Sequence, residues 1–178
     1  MLLEYGASIN IRNRAGNYPV AWAARHNDTS ILQMILDKGA TVNDADDKGF
    51  TALHICAFAN SVPACEILLD RGADVNAANE KGYTPIFTAA EMHNTEVALV
   101  LMDRGADMTL EDENENGPVD LCSGRAATQK YEGLPHQVKL LETMREKGGL
   151  YHEERKRRQK AAKEKKAKEA KARAKGEM

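Results

Sequence analysis

Few side chains in this sequence are of types that do chemistry: His54, the cysteines Cys56, Cys65 and Cys122, and the acidic run Glu111-Asp112-Glu113 with Glu115. A histidine can ligate a metal or act as a general base, and a cysteine becomes a nucleophile when its surroundings lower its pKa. No basic residue adjoins Cys65 in sequence. The cysteines lack CxxC spacing, and four His or Cys at ligand spacing are not present, so no structural zinc site is expected. Reduced, buried thiols are the expectation for all three cysteines. Neither a Gly-rich phosphate loop nor a nucleophile elbow occurs, and the acidic run reads as solvated surface. These residues predict a protein that is not an enzyme and carries no catalytic residue, metal or cofactor.

The elements that would position these side chains repeat. Gly6-Ala7, Gly39-Ala40, Gly72-Ala73 and Gly105-Ala106 recur at a step of 33 residues. Gly16, Gly49 and Gly82 keep the same step, as do Pro19, Ala52, Pro85 and Pro118. A period of this length means an array of near-identical units, and function is then sought on a surface shared between units. Within each unit, Pro suits a first helical turn, and Asp28, Ser61 and Asn94 are N-cap types for a second helix. That helix continues in Ile31-Leu32…Ile35-Leu36, Ile67-Leu68-Leu69 and Val97…Val100-Leu101-Met102, and ends at the Gly of each Gly-Ala pair. Thr84 is of the type that caps a first helix. Asn27, Asn60 and His93 share one aligned position and tolerate the left-handed backbone that ends a helix. Asn27-Asp28-Thr29, a glycosylation sequon by letter, therefore reads as a turn and helix start.

The segments beginning Gly16-Asn-Tyr-Pro-Val-Ala-Trp-Ala-Ala24, Gly49-Phe-Thr-Ala-Leu-His-Ile-Cys-Ala57 and Gly82-Tyr-Thr-Pro-Ile-Phe-Thr-Ala-Ala90 resemble the ankyrin signature G-x-T-P-L-H-x-A-A. The resemblance covers about residues 1–122. It implies an all-α solenoid of helix–turn–helix units with projecting hairpin-like turns. His54, at the signature histidine, is then expected to be buried and bonded to the neighbouring turn. The expected organisation is an incomplete first repeat at 1–6 (second helix only) and three full repeats at 7–39, 40–72 and 73–105. A degenerate terminal repeat at 106–149 and a basic helix-prone tail at 150–178 follow.

Composition agrees with an array packed by Ala and Leu: aromatic residues make up 5% of the chain, with one Trp. No apolar run is long enough to span a membrane, and no secretory leader is visible. The expected location is the cytoplasm, the nucleus or both. The net charge of −2 conceals an asymmetry. Residues 1–150 hold 13 Lys and Arg against 22 Asp and Glu, whereas residues 151–178 hold 12 against 5.

By the same resemblance, a protein partner is expected on the concave face, bound by a monomer. Three aligned stripes fall there: Asn17, Phe50, Tyr83, Asn116; Arg25, Phe58, Glu91, Gly124; and His26, Ala59, Met92, Arg125. The candidate partner-binding residues are Arg25, Phe50, Phe58, Tyr83, Glu91 and Met92. Two readings of Phe50 and Phe58 stand side by side: anchors of a binding hot spot, or rings half covered against an adjacent repeat. In the tail, Arg155, Lys156, Arg157, Arg158, Lys165, Lys166 and Lys168 form two basic clusters. They could serve nuclear import or a weak, sequence-blind contact with nucleic acid or another acidic surface. A regulatory fragment of a larger protein is the third reading.

Overall fold

The computed structural model describes residues 9–13, 16–122, 142–143 and 146. The expected half-repeat at 1–6, the two basic clusters of the tail and Gly124 and Arg125 lie outside these residues. Chain contacts divide the molecule into two units, Met1–Leu141 and Glu142–Met178. In the second unit Glu142, Thr143 and Glu146 are helical.

Seven helices follow one another in the first unit: α1 Pro19–Arg25, α2 Thr29–Asp37, α3 Ala52–Ala59, α4 Val62–Asp70, α5 Pro85–Glu91, α6 Thr95–Asp103 and α7 Pro118–Cys122. No strand occurs among the described residues beyond a single antiparallel bridge between Ala45 and Thr51. Helices α1, α3, α5 and α7 pack side by side in one row, and α2, α4 and α6 form a second row behind it. Close approach within the first row is possible because small residues fill the seam: Ala23, Ala24, Cys56, Ala57, Ala89 and Ala90 are fully buried. Leu32, Leu53, Leu68, Ile86, Phe87, Val97 and Leu101 complete the core between the rows. The sequon forms the tight turn expected: Asn27 has φ +53°, and Asp28 caps α2 by accepting from the Ile31 N–H at 3.0 Å.

The turns between units are held by one recurring device. Asp46, Asn79 and Asp112 each accept, through one side-chain oxygen, from the backbone N–H groups two and four residues ahead. Successive turns are then tied together, since Glu80 N–H donates to the Lys48 carbonyl and Glu113 N–H to that of Lys81. Gly49 makes the stacking possible: a Cβ there would stand 2.9 Å from Asn79 Cα. In the fourth unit Glu115, at φ +62°, occupies the position that Gly16, Gly49 and Gly82 hold in the others. A second ladder comes from asparagines at the same step. Asn10, Asn43 and Asn76 accept from Thr41, Asp74 and Asp107 N–H respectively, each stitching one unit to the next.

Three expectations need correction. Cys56 on α3 and Cys65 on α4 are not free thiols; they form a disulfide with a Cα–Cα distance of 5.7 Å. Both are fully buried, and they face each other because the tight turn between α3 and α4 folds one helix onto the other. Thr84 stands at the N-cap of α5 but makes no side-chain cap bond. Ser61 and Asn94 likewise stand at N-caps without side-chain caps. The Asn94 amide instead donates across to the preceding unit, to Ala57 and Phe58 carbonyls at 2.7 and 3.0 Å.

The first two corrections yield tests. Denatured protein without reductant should present one reactive thiol per chain, from Cys122, and three after reduction. Closing so short a loop is worth about 2–3 kcal/mol, so reduction should lower unfolding stability by that much; three thiols before reduction would contradict the pairing. Thr51 and Thr84 form a matched pair. The Thr51 hydroxyl lies 2.9 Å from His54 Nδ1. The Thr84 hydroxyl is fully buried with no hydrogen-bond partner among the described residues, because Phe87 stands at the aligned position of His54. Thr51→Val should cost about 1–3 kcal/mol, whereas Thr84→Val should be neutral or stabilising. Chemical denaturation of both variants checks the contrast.

Candidate functional site

The first helices α1, α3 and α5 bury four or more residues each and leave one face open. At the end of α1, Trp22, Arg25 and the C-cap residue His26, at the i, i+3 and i+4 spacing of a single helical face, are exposed around the buried Val20, Ala21, Ala23 and Ala24. Trp22 is 51% exposed, and its indole lies 4.4 Å, centroid to centroid, from the His26 ring. On α3, Phe58 is also 51% exposed. Glu91 is exposed on α5, and Met92, the next residue, is 39% exposed. Of the predicted contact residues, then, Arg25, Phe58, Glu91 and Met92 stand in solvent on three successive units.

Phe50 and Tyr83 are placed differently. Both are half-buried at the foot of the turns. Phe50 meets the His54 ring edge-on at 5.5 Å, and Tyr83 stacks on Phe87 at 5.5 Å. These contacts are made within their own units, whereas the cover expected for Phe50, if any, was the adjacent repeat. Burial raises the Tyr83 pKa, with the charges of Glu91 and Asp112 adding to the effect. Burial pushes the Asp112 carboxyl up, but hydrogen bonds from Asn116 and Asn114 outweigh it and hold the group below its ordinary value.

Trp22 was missed by sequence reasoning. It aligns with Ile55, which is half-buried, and Thr88, which is buried; only its size marked it. Asn94 was read as a helix cap, yet its amide pins the C-terminal carbonyls of α3, the helix that presents Phe58.

His54 is a buried histidine, and its surroundings use up both ring nitrogens. A carbonyl accepts only, so Nε2 carries the proton and donates to Tyr83 O at 2.9 Å. Nδ1 accepts from the Thr51 N–H at 3.2 Å and from the Thr51 hydroxyl. The ring fixes the next unit's turn and offers no lone pair to a substrate or metal. Among the described residues no group of three or more His, Cys, Asp or Glu is arranged to hold a metal ion, and no helix is long and apolar enough to cross a membrane.

A family model described as ankyrin repeats in three copies matches residues 1–79, and a second, ankyrin repeats in many copies, matches residues 57–102. The chain belongs to the ankyrin-repeat family. No curated protein matches it. Ankyrin repeats are in general protein–protein interaction modules and typically non-catalytic, in keeping with the use of His54 as a strut between ankyrin units.

The buried His54 gives the ankyrin array a pH dependence. Burial lowers its pKa from the ordinary value of 6.5, against smaller raising effects of the Tyr83 carbonyl and Asp46. The unfolded chain therefore takes up the proton first. This contribution to stability is complete above about pH 6.5 and is lost as pH falls from there toward the folded-state pKa. Between pH 7.5 and 5 the wild-type melting temperature should fall more steeply than that of His54→Phe, the residue found at the aligned position 87. Parallel slopes in thermal melts would remove His54 from this role.

Proposed function

We propose that this chain is a non-catalytic recognition module that holds a protein partner across the open face of its first-helix row. The observation that carries the reading is the exposure of Trp22, Phe58 and Met92 along the first-helix row of three successive units. Large apolar groups in water, bordered by Arg25, His26 and Glu91, have the composition of an interface core with a charged rim. Phe58 is the central anchor, with Trp22 and Met92 on either side. Phe50 and Tyr83 support the site from below through their ring contacts. The module acts as a monomer in the cytoplasm or the nucleus. In a reducing cytosol the Cys56–Cys65 pair would be a dithiol, since glutathione and thioredoxin keep intracellular thiols reduced.

A second reading rests on the charge asymmetry of the sequence. The excess of Lys and Arg in residues 151–178 suits a weak contact with phosphates. It would add salt-sensitive affinity for nucleic acid or an acidic surface without selecting sequence.

Partner capture separates the residues. Phe58→Ala and Met92→Ala should weaken partner binding by about 1–3 kcal/mol while thermal melts stay close to wild type. Met34→Ala, on the exposed side of α2, should change neither. If Phe58→Ala leaves capture intact, or unfolds the array as severely as Leu68→Ala, the open face is not the binding site.

A further inference from the structure

Residues 25, 58 and 91 occupy one register repeated at the 33-residue step, in the last turn of α1, α3 and α5. Their side chains are exposed, and they run from a guanidinium through a phenyl ring to a carboxylate. Neither Arg25 nor Glu91 makes an ion pair among the described residues. The two ends of this row also match in kind. Trp22 adds exposed apolar surface in the unit of Arg25, and Met92 does so beside Glu91.

Such a row is complementary to itself. When a second copy of the chain lies antiparallel on the first, with a two-fold axis through Phe58, each Arg25 faces the partner's Glu91 and the two phenyl rings meet at the axis. Trp22 then falls at the end that carries the partner's Met92, and a thioether sulfur is a favourable neighbour for an aromatic ring. The match depends on no particular distance along the row. It requires only that α1 stand from α3 as α3 stands from α5. Both junctions are packed alike, on the fully buried pairs Ala23–Ala24, Cys56–Ala57 and Ala89–Ala90. Copies related by a two-fold axis present the same patch to each other, and this is the commonest symmetry of soluble oligomers. A parallel pairing would set arginine on arginine and glutamate on glutamate, so the charges fix the direction.

We propose that the open face takes a second copy of this chain in an antiparallel two-fold pair, with Phe58 on the axis and an Arg25–Glu91 ion pair at each end. Pairing covers at once Trp22, Phe58 and Met92, the large apolar side chains exposed along the first-helix row. Its regulatory consequence rests on the recognition reading, because the pair hides the same surface. The dimer is a partner-free store, and the monomer is the form that binds a protein partner. Exposed ion pairs contribute little, so the pair is weak and its population follows the concentration of the chain.

Sedimentation equilibrium of the full chain at rising concentration tests the pairing. At low salt the chain should pass from monomer to dimer. Phe58→Ala should raise the dissociation constant tenfold or more, because each dimer loses both rings. Arg25→Glu and Glu91→Arg should each do the same, by setting like charges against each other at both ends. Mixed in equal amounts, those two variants should pair with one another. The double variant Arg25→Glu with Glu91→Arg should recover the wild-type affinity, since the row is then self-complementary with its signs exchanged. In 1 M salt, where the screening length falls to about 3 Å, the charge variants and the wild type should converge. Melting temperatures confirm that each variant folds. A chain that stays monomeric up to about 1 mM, a dimer indifferent to Phe58→Ala, or a double variant that is not restored would each overturn the proposal. So would a dimer lost in Met34→Ala, which would place the contact on the second row. The two readings fail separately. A chain monomeric throughout whose partner capture depends on Phe58 sinks the dimer alone. A dimer dependent on Phe58 in a chain whose capture ignores Phe58→Ala sinks the recognition reading alone.

Discussion

No unit of this array can bury its own apolar faces, and everything else in the structure follows from the way each is completed by its neighbour. A pair of helices seven to nine residues long is too short to be stable alone. Stacking supplies the missing partner twice over, once in each row of helices. The polar turns are completed in the same way. His54 spans from Thr51 to the carbonyl of Tyr83, the asparagines at 10, 43 and 76 reach the next unit, and Glu80 and Glu113 bond back to the turns before them. Stability is then a sum over interfaces, and a fault at one interface is felt mainly by its two neighbours.

The same constraint produces a surface. Each first helix must turn one side toward its neighbours and the second row, which leaves one side that packing does not use. Residues there are free to vary between units, and they do: register 25 runs Arg, Phe, Glu. The seam positions 24, 57 and 90 are alanine in all three full repeats. Variation on a fixed frame is the economical way for a stacked array to acquire a specific face. The frame also limits motion of the anchors: Phe58 sits at the end of α3, whose last carbonyls are held by Asn94.

The period, the helix starts at Pro19, Pro85 and Pro118, and the structural use of His54 were all legible in the sequence, because each depends on local backbone chemistry repeated at a fixed step. Exposure of Phe58 and Met92 was legible for the same reason, through alignment of units. The rest depended on contacts that spacing does not encode. Phe50 and Tyr83 align with each other and look like surface residues, yet each finds a ring within its own unit. The Cys56–Cys65 bridge joins two elements across a turn, where neither cysteine belongs to a motif. Thr84 keeps the residue of the signature but has lost its partner, since Phe87 replaces the histidine that makes the bond in the preceding unit. The asparagine ladder did carry a sequence mark, the 33-residue step of 10, 43 and 76, but a polar residue in a polar turn attracts no notice.

The central claim, that function lies on the open face of the first-helix row, is tested most directly by hydroxyl-radical footprinting of the chain alone and bound to a protein partner. The account predicts that Trp22, Phe58 and Met92 are oxidised in the free chain and protected in the complex, while Met34, on the second row, is oxidised equally in both. Protection of Met34 with Trp22, Phe58 and Met92 unchanged would contradict it.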